Sequence, residues 1–273
     1  MVIKVGELGI NHNGDMTVVR DLINVAKGAG LDYVKFQTRD ISLVYSQEEL
    51  DKPRESPWGT TNREQKLGLE LSLDDYRRID DYCREVGIKW FSSPWDTNSA
   101  ELLASFGPDY IKVPSALLTY HDYLLKLKEI GTPLVVATGM STLAEIDNIV
   151  DLLDGQIAYL LHCTSTYPCV SEEINLAMIS SLQKRYPQYR IGFSNHSTGI
   201  IFIVMAAGLD AEMVEFHITM DRAMYGSDQA ASIEPEGIMR VCKYLKHIEL
   251  AKGDGIKRVY DSEKAVLDKL RRY

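Results

Sequence analysis

The sequence has no surplus of positive charge: 30 Lys+Arg stand against 39 Asp+Glu in 273 residues, a net charge of −9. Nucleic acids and anionic membrane surfaces select basic faces, so neither is expected as a partner. No apolar run comes near the roughly 20 residues that cross a bilayer. Low-complexity tracts and charge blocks are absent as well. The four cysteines, Cys83, Cys163, Cys169 and Cys242, show no CxxC spacing, which leaves zinc ribbons and thioredoxin chemistry without support. The opening MVIKVGELGI carries Lys4 and Glu7 and is too short for the apolar stretch of a secretory leader, so a cytoplasmic location is expected. What is present, 45% hydrophobic and 25% charged residues, suffices for a full globular core.

Short β-rich runs alternate with amphipathic helical patterns along the chain. The runs are IKVGELG from Ile3, YVKFQT from Tyr33, KWFSSP from Lys89, YIKVPS from Tyr110, PLVVATG from Pro133, IAYLLHCT from Ile157, RIGFSNHS from Arg190 and MVEFHIT from Met213. Each is branched or aromatic and apolar on both faces, as a parallel strand covered by helices requires. Between them, Asp15 caps a helix striped with Val18, Val19, Leu22, Ile23 and Ala26, and Gly28 and Gly30 stop it. Ser72 with Asp75 approximates a capping box for a second helix, ended by Gly87. Further helices fit 97–106, 121–130, 141–153, 174–185, 199–208 and 236–250. Eight strands, each followed by a helix, predict an α/β fold, a (β/α)8 TIM barrel; a doubly wound sheet uses the same alternation with fewer strands. Residues 39–71, between the second strand and its helix, are far longer than a median loop. They form a lid over the strand ends, a structural flap or an oligomer contact.

A barrel enzyme carries its chemistry at the C-terminal ends of its strands. There this sequence places Glu7; Lys35 and Gln37; Ser93; Lys112 and Ser115; Thr138; Ser165 and Tyr167; Ser194, Asn195 and His196; and Glu215 and His217. Lys35 and Lys112 lie inside apolar strands, where an unpaired ammonium is costly, so both must meet anions. Glu7 and Glu215 are candidate partners. Alternatively the lysines await a phosphate or carboxylate of a substrate, helped by Ser93, Ser115 and Ser194, or one of them forms a Schiff base as in barrel aldolases. His196 and His217, ending adjacent strands, suit a catalytic divalent cation such as Mn, Fe, Co or Zn. His12, His121, His162 and His247 are expected to be structural or surface residues.

ELGINHNG, VKFQT, FSSPWD, YIKVPS, ATGMST, LLHCTSTYP, GFSNHSTG, VEFHIT and GSDQAASIEP occur in that order. Together they resemble the N-acetylneuraminate (sialic acid) synthase family, with its pseudaminic and legionaminic acid synthases. The resemblance covers essentially the whole chain. It implies a (β/α)8 barrel that condenses phosphoenolpyruvate with an open-chain aldose, N-acetylmannosamine or a related sugar, to a nonulosonic acid and releases phosphate. Position by position, it implies that Lys35, Lys112, Ser115 and Ser194 hold the phosphate and carboxylate of phosphoenolpyruvate, with Ser93 nearby. His196 and His217 would ligate a divalent metal, usually Mn2+, with Mg2+ or Co2+ as alternatives. Gln37, Tyr167 and Asp228 match sugar-contacting positions, and Glu7 matches an acid in the site; proton transfers fall to Glu7 or Glu215.

The sequence also departs from the family pattern. Ser115-Ala116-Leu117 lacks the acid common two positions after the serine, Ala137 replaces a serine, Asn195 stands where aspartate is common, and Tyr225-Gly226-Ser227-Asp228 replaces Pro-Gly-Pro-Asp. The Leu117 departure raises the alternative of a degenerate barrel that binds a sugar or anion without turnover. Many relatives continue into a C-terminal antifreeze-like domain; residues 1–273 are expected to form a single synthase barrel without it. A homo-oligomer is expected, although the family dimer relies partly on that domain.

Overall fold

Period-two alternation decides which residue of each strand faces inward, and in this chain it sorts the barrel interior into two layers. The computed structural model describes residues 2–272. Its strands are β1 (Ile3–Gly9), β2 (Tyr33–Thr38), β3 (Pro53–Ser56), β4 (Gly59–Thr61), β5 (Lys89–Pro94), β6 (Ile111–Val113), β7 (Leu134–Ala137), β8 (Ile157–His162), β9 (Arg190–Asn195) and β10 (Met213–His217). All except β3 and β4 join one parallel sheet in the order β5-β2-β1-β10-β9-β8-β7-β6. Its end strands β5 and β6 lie side by side, so the sheet curls into the expected (β/α)8 barrel.

The lower interior layer is apolar: Val5, Tyr33, Phe91, Val135, Tyr159, Leu161 and Met213 pack together. Tyr110 edges onto Phe91 at 6.0 Å and Tyr159 at 5.7 Å, closing the floor across the β5–β6 seam. Two residues further along β1, β2, β5 and β10, the same inward face carries Glu7, Lys35, Ser93 and Glu215. The chemistry therefore stands directly on a hydrophobic plug. The outward-facing strand residues, among them Leu8, Val34, Phe36, Val136 and Leu160, form a second core with the helices.

Helix boundaries follow cap chemistry. Asp15 caps Met16–Ala29 through the Thr17 N–H. That helix runs on through Gly28, and Gly30, at φ +89°, is its only glycine stop. Ser72 and Asp75 form a reciprocal capping box for Leu73–Val86, which Gly87 ends. The strand read from Tyr110 shortens to three residues because Pro114 removes a ladder donor. Helices read at 141–153 and 174–185 begin later, at Leu143 and Ala177. The helix Asp261–Leu270, absent from the sequence reading, lies in a C-terminal stretch that is almost wholly exposed.

Residues 39–71 are not a loop. They fold into the short helices Ile41–Val44 and Gln47–Leu50, the antiparallel hairpin β3–β4, and the helix Asn62–Leu69, opened by a Thr61–Glu64 capping box. Two glycines allow this flap to lie close. A Cβ on Gly68 would come within 2.2 Å of the Trp58 ring, and one on Gly14, whose φ is +68°, within 2.2 Å of the Gly68 carbonyl oxygen. Trp58 then meets Tyr225 edge-on at 5.6 Å, joining the flap to the loop after β10.

Candidate active site

At the C-terminal end of the barrel one cavity is lined by Glu7, Lys35, Gln37, Ser93, Lys112, Ser115, Ser165, Tyr167, Ser194, His196, Glu215 and His217. Ladder register explains the convergence: Glu7 pairs with Lys35 on one side and His217 on the other, Gln37 with Ser93, and Glu215 with Ser194.

Both lysines find carboxylates within the chain. Lys35 Nζ lies 2.7 Å from Glu7 Oε2 and 3.9 Å from Glu215 Oε1, and donates to Ser93 Oγ at 3.1 Å. Lys112 Nζ donates to both oxygens of Glu215, at 2.8 and 2.7 Å. Gln37 Nε2 donates to Glu7 Oε1 at 3.1 Å, and Ser194 Oγ to Glu215 Oε1 at 3.1 Å. Burial opposes charge on Lys35, but Glu215 and Glu7 together hold its ammonium above the usual lysine range. Burial and the neighbouring Lys35 hold Lys112 below that range against the pull of Glu215. For Glu215 burial is outweighed by Lys112 and Lys35, which keep the carboxyl below the usual range. The result is an alternating chain, Glu7–Lys35–Glu215–Lys112, whose two positive and two negative charges cancel.

Beside it, a small-residue gap makes room for hydroxyls. A Cβ on Gly139 would fall 2.2 Å from Ser165 Oγ, 2.8 Å from Ser115 Oγ and 3.0 Å from Cys163 Sγ. The Gly139 N–H donates to Ser115 Oγ at 3.1 Å, while Ser165 Oγ is buried without a partner.

The rings of His196 and His217 have centroids 5.6 Å apart. His196 Nδ1 lies 2.7 Å from the Thr164 carbonyl oxygen, which can only accept. That contact places the proton on Nδ1 and leaves the Nε2 lone pair facing the cavity, 3.2 Å from the Tyr167 hydroxyl. Burial, with repulsion from His217, lowers the His196 pKa to about 4, so the ring is neutral at pH 7. His217 Nδ1 is buried without a hydrogen-bond partner, 3.7 Å from Asp228 Oδ2. His196 Nε2, bonded only to the Tyr167 hydroxyl, and the unpartnered His217 Nδ1 share one cavity and fit a divalent cation that keeps open positions. Among the described residues no group of three His, Cys, Asp or Glu gathers to enclose an ion.

The comparisons with known proteins agree with this geometry. Residues 22–257 match the NeuB family. The chain is 36% identical over 271 residues to the N-acetylneuraminate-9-phosphate synthase of Homo sapiens, covering 97% of this chain and 75% of that protein. It is 33% identical over 280 residues to the N,N'-diacetyllegionaminic acid synthase of Campylobacter jejuni, covering 98% and 82%. The chain belongs to the NeuB family. Synthases of this family condense phosphoenolpyruvate with sugars to nonulosonic acids, and the family is generally metal-dependent. In three dimensions the chain is similar to the N-acetylneuraminic acid (sialic acid) synthetase of Leptospira borgpetersenii, with a TM-score of 0.85 and 25% identity over 100% of this chain and 93% of that one.

Against the NeuB pattern, three of the residues singled out stand elsewhere. Thr138 does not line the cavity; its hydroxyl is spent on the Leu161 carbonyl of the neighbouring strand, to which it donates at 2.9 Å. Asn195, also off the cavity, donates from Nδ2 to the Ser197 carbonyl and accepts from Ser197 Oγ, bracing the turn that presents His196. Asp228 lies at the cavity edge near His217 rather than in its wall. Ala116 rather than Leu117 borders the cavity; Leu117 packs onto the outer core, so its departure takes nothing from the cavity wall. Ala137 does line it, so a hydroxyl is absent there. His12 and His162 are buried away from the cavity, the latter within 2.8 Å of the Ile174 carbonyl oxygen, and His121 and His247 are exposed. Sequence reasoning missed Trp95, Pro114 and Met140 in the lining, and Arg39, which bonds Gln37 and stacks 5.1 Å from Trp95. Arg39 directly follows the strand-end pair Gln37-Thr38, a position that was itself a signal.

Proposed function

We propose that this NeuB-family chain joins phosphoenolpyruvate to an open-chain hexose-derived aldose, N-acetylmannosamine or a related sugar, giving a 2-keto-3-deoxy nonulosonic acid and phosphate, with the barrel as the catalytic unit. The observation that carries this reading is the buried Glu7–Lys35–Glu215–Lys112 chain beside the paired rings of His196 and His217. An ammonium has three donors. Neither lysine spends all of its donors at full strength, so each can take an oxygen of the phosphoenolpyruvate carboxylate or phosphate. Ser115, Ser165, Ser194 and Ser93 supply hydroxyls around that anion, and Gly139 keeps the space open. Gln37, Tyr167 and Asp228 orient the sugar hydroxyls.

His196 Nε2 and His217 Nδ1 would hold a divalent cation, Mn2+ by preference, with Mg2+ or Co2+ as alternatives. Bound there, such an ion supplies Lewis-acid polarisation of a carbonyl oxygen. Attack by C3 of phosphoenolpyruvate on the aldehyde carbon forms the new C–C bond and leaves C2 electron-poor. Water adds at C2, and the C–O bond to phosphate then breaks. Glu7 and Glu215 are assigned the proton transfers, and the lysines steady the charge of the anion as it shifts.

The deciding experiment incubates purified protein with Mn2+, phosphoenolpyruvate and a mixed aldose pool, reading products by mass spectrometry and phosphate by colorimetry. A new acid with matching phosphate release is expected; no phosphate release across a broad aldose panel refutes the proposal. A Schiff-base aldolase needs an unprotonated lysine. Lys35 is held charged; Lys112 lies below the usual lysine range but spends two donors on the Glu215 carboxylate, which opposes loss of its proton, so borohydride with carbonyl substrates is expected to trap no adduct.

No helix of the described residues is long and apolar enough to cross a membrane. All four cysteines are free, which supports a reducing, cytoplasmic location. A homo-oligomer belongs to the same reading: Ile256, Val259, Tyr260, Val266 and Leu270 expose apolar side chains near the C-terminus, and sedimentation velocity tests it.

A further inference from the structure

Gln37 carries an amide that can bridge its two neighbours in one orientation only. Arg39 Nη2 donates to Gln37 Oε1, and Gln37 Nε2 donates to Glu7 Oε1 at 3.1 Å. A guanidinium only donates and an ionised carboxylate only accepts, so a turned amide would lose both bonds at once. Glu7 alone would still select the nitrogen, but the long side chain would then be free to leave it. The backbone is shaped around this contact. Gly9, at φ +53°, passes so close that a Cβ there would lie 3.2 Å from both Gln37 Nε2 and Glu7 Oε1.

Arg39 is itself fixed from several sides. Its side chain is only 7% exposed, and Nη1 lies 2.7 Å from Glu70 Oε1. Its backbone N–H donates to Glu70 Oε2 at 3.0 Å, so one flap carboxylate grips both ends of the residue. The guanidinium lies over the Trp95 ring at 5.1 Å. On either side of Arg39 the backbone is tied to the residues that follow β5. The Trp95 N–H donates to the Thr38 carbonyl at 2.9 Å, and the Asp40 N–H to Asp96 Oδ2 at 2.7 Å. A row Glu70–Arg39–Gln37–Glu7 therefore runs from the flap into the cavity, where Lys35 Nζ holds the other Glu7 oxygen at 2.7 Å. We propose that Arg39, anchored by Glu70, is a positioning residue: by locking the Gln37 amide it holds Glu7 in the orientation from which Glu7 moves protons. This rests on the synthase reading above. Arg39 does not line the cavity, so it acts through Gln37.

The test measures kcat and KM for phosphoenolpyruvate, with Mn2+ and the aldose that the pool assay identifies. The proteins are the full chain, Arg39→Lys, Glu70→Gln, Gln37→Met and the Arg39→Lys/Gln37→Met double variant. Lysine keeps the charge beside Glu70 but lacks the planar fork that reaches two partners. In Arg39→Lys kcat is expected to fall roughly ten- to a hundred-fold, with KM for phosphoenolpyruvate nearly unchanged, and in Glu70→Gln by a smaller factor. In the Gln37→Met background Arg39→Lys should cost little more, because the group through which it acts is gone. A normal kcat in either Arg39→Lys or Glu70→Gln, or losses that multiply in the double variant, overturns the proposal. Nuclear magnetic resonance of the Gln37 side-chain amide, identified by its loss in Gln37→Met, reads the lock without turnover, and the same spectra report the fold. Exchange of that amide with solvent is expected to quicken at least roughly ten-fold in Arg39→Lys, the worth of one hydrogen bond to a charged group. An unaltered amide overturns the lock whatever the kinetics. A quickened amide in a protein that makes no product from any aldose leaves the lock standing and refutes the synthase reading.

Discussion

Glu7 has both carboxylate oxygens engaged, one by Lys35 at 2.7 Å and one by Gln37 at 3.1 Å, and is 1% exposed. Glu7→Gln removes a proton acceptor while keeping shape, and Lys35 retains Glu215 at 3.9 Å. In steady-state kinetics kcat is expected to fall roughly 10²–10⁴-fold, the range of a lost general acid or base, with little change in phosphoenolpyruvate affinity. A normal kcat with weakened phosphoenolpyruvate binding would instead mark Glu7 as only the counterion of Lys35. His12 offers a separate test of burial. Its Nδ1 accepts from the Gly14 N–H at 3.0 Å, and burial lowers its pKa from 6.5 to about 4. The unfolded chain takes up a proton near pH 6.5 that the folded chain refuses until about pH 4, so this stabilisation is complete above pH 6.5 and is lost between those values. It amounts to about 3 kcal/mol. Urea unfolding from pH 7 to pH 4 is expected to show that loss, flattened in His12→Gln; parallel profiles for the two proteins would refute it.

At the scale of elements, the flap is the part whose position beside the cavity matters most. Trp58 lies on Gly68 and against Tyr225, linking residues 39–71 to the loop that carries Asp228. Trp58→Ala cuts that link without touching the barrel core. Limited proteolysis between β3 and β4 is expected to speed up several-fold, and KM for the aldose to rise by about ten-fold, with the melting temperature of the barrel nearly unchanged. Protection equal to that of the unaltered chain would show that the flap is held by other contacts. The length of this segment marked it as special; its folded hairpin and helix lay in the reciprocal Thr61–Glu64 cap, a pattern that sequence reading passed over because it treated the stretch as one loop.

For the molecule as a whole, an ion held by His196 and His217 stabilises only the folded state, in which the two rings stand together. Mn2+ at a hundred times its Kd is expected to add about 2.7 kcal/mol and to raise the melting temperature by several degrees. His217→Ala should melt like the metal-free chain and show no such rise, and its turnover should be abolished. An equal rise in the variant would place the ion elsewhere.

Much of the architecture was legible before any coordinates, because it depends on local rules. Eight apolar runs with period-two alternation, capped helices between them and polar residues at the run ends dictate a barrel with its chemistry at one rim, and the inward alternation places Glu7, Lys35 and Glu215 on one face. Local rules also carry errors: Thr138 and Asn195 share the strand-end position of true lining residues, and only the turn that follows each strand decides which way a side chain goes. Whether Lys35 and Lys112 stand bare or paired depends on four strands, β1, β2, β6 and β10, and on the closure that brings β6 and β10, which share no ladder, face to face across the interior; no single segment encodes that. Nor does any local pattern bring Arg39 to Glu70, a 2.7 Å pair that exists only once the flap lies against the end of β2. Sequence determined which residues were polar, apolar, capping or titratable; distance, the quantity that turns two carboxylates and two lysines into one neutral chain, was decided by the closed barrel alone.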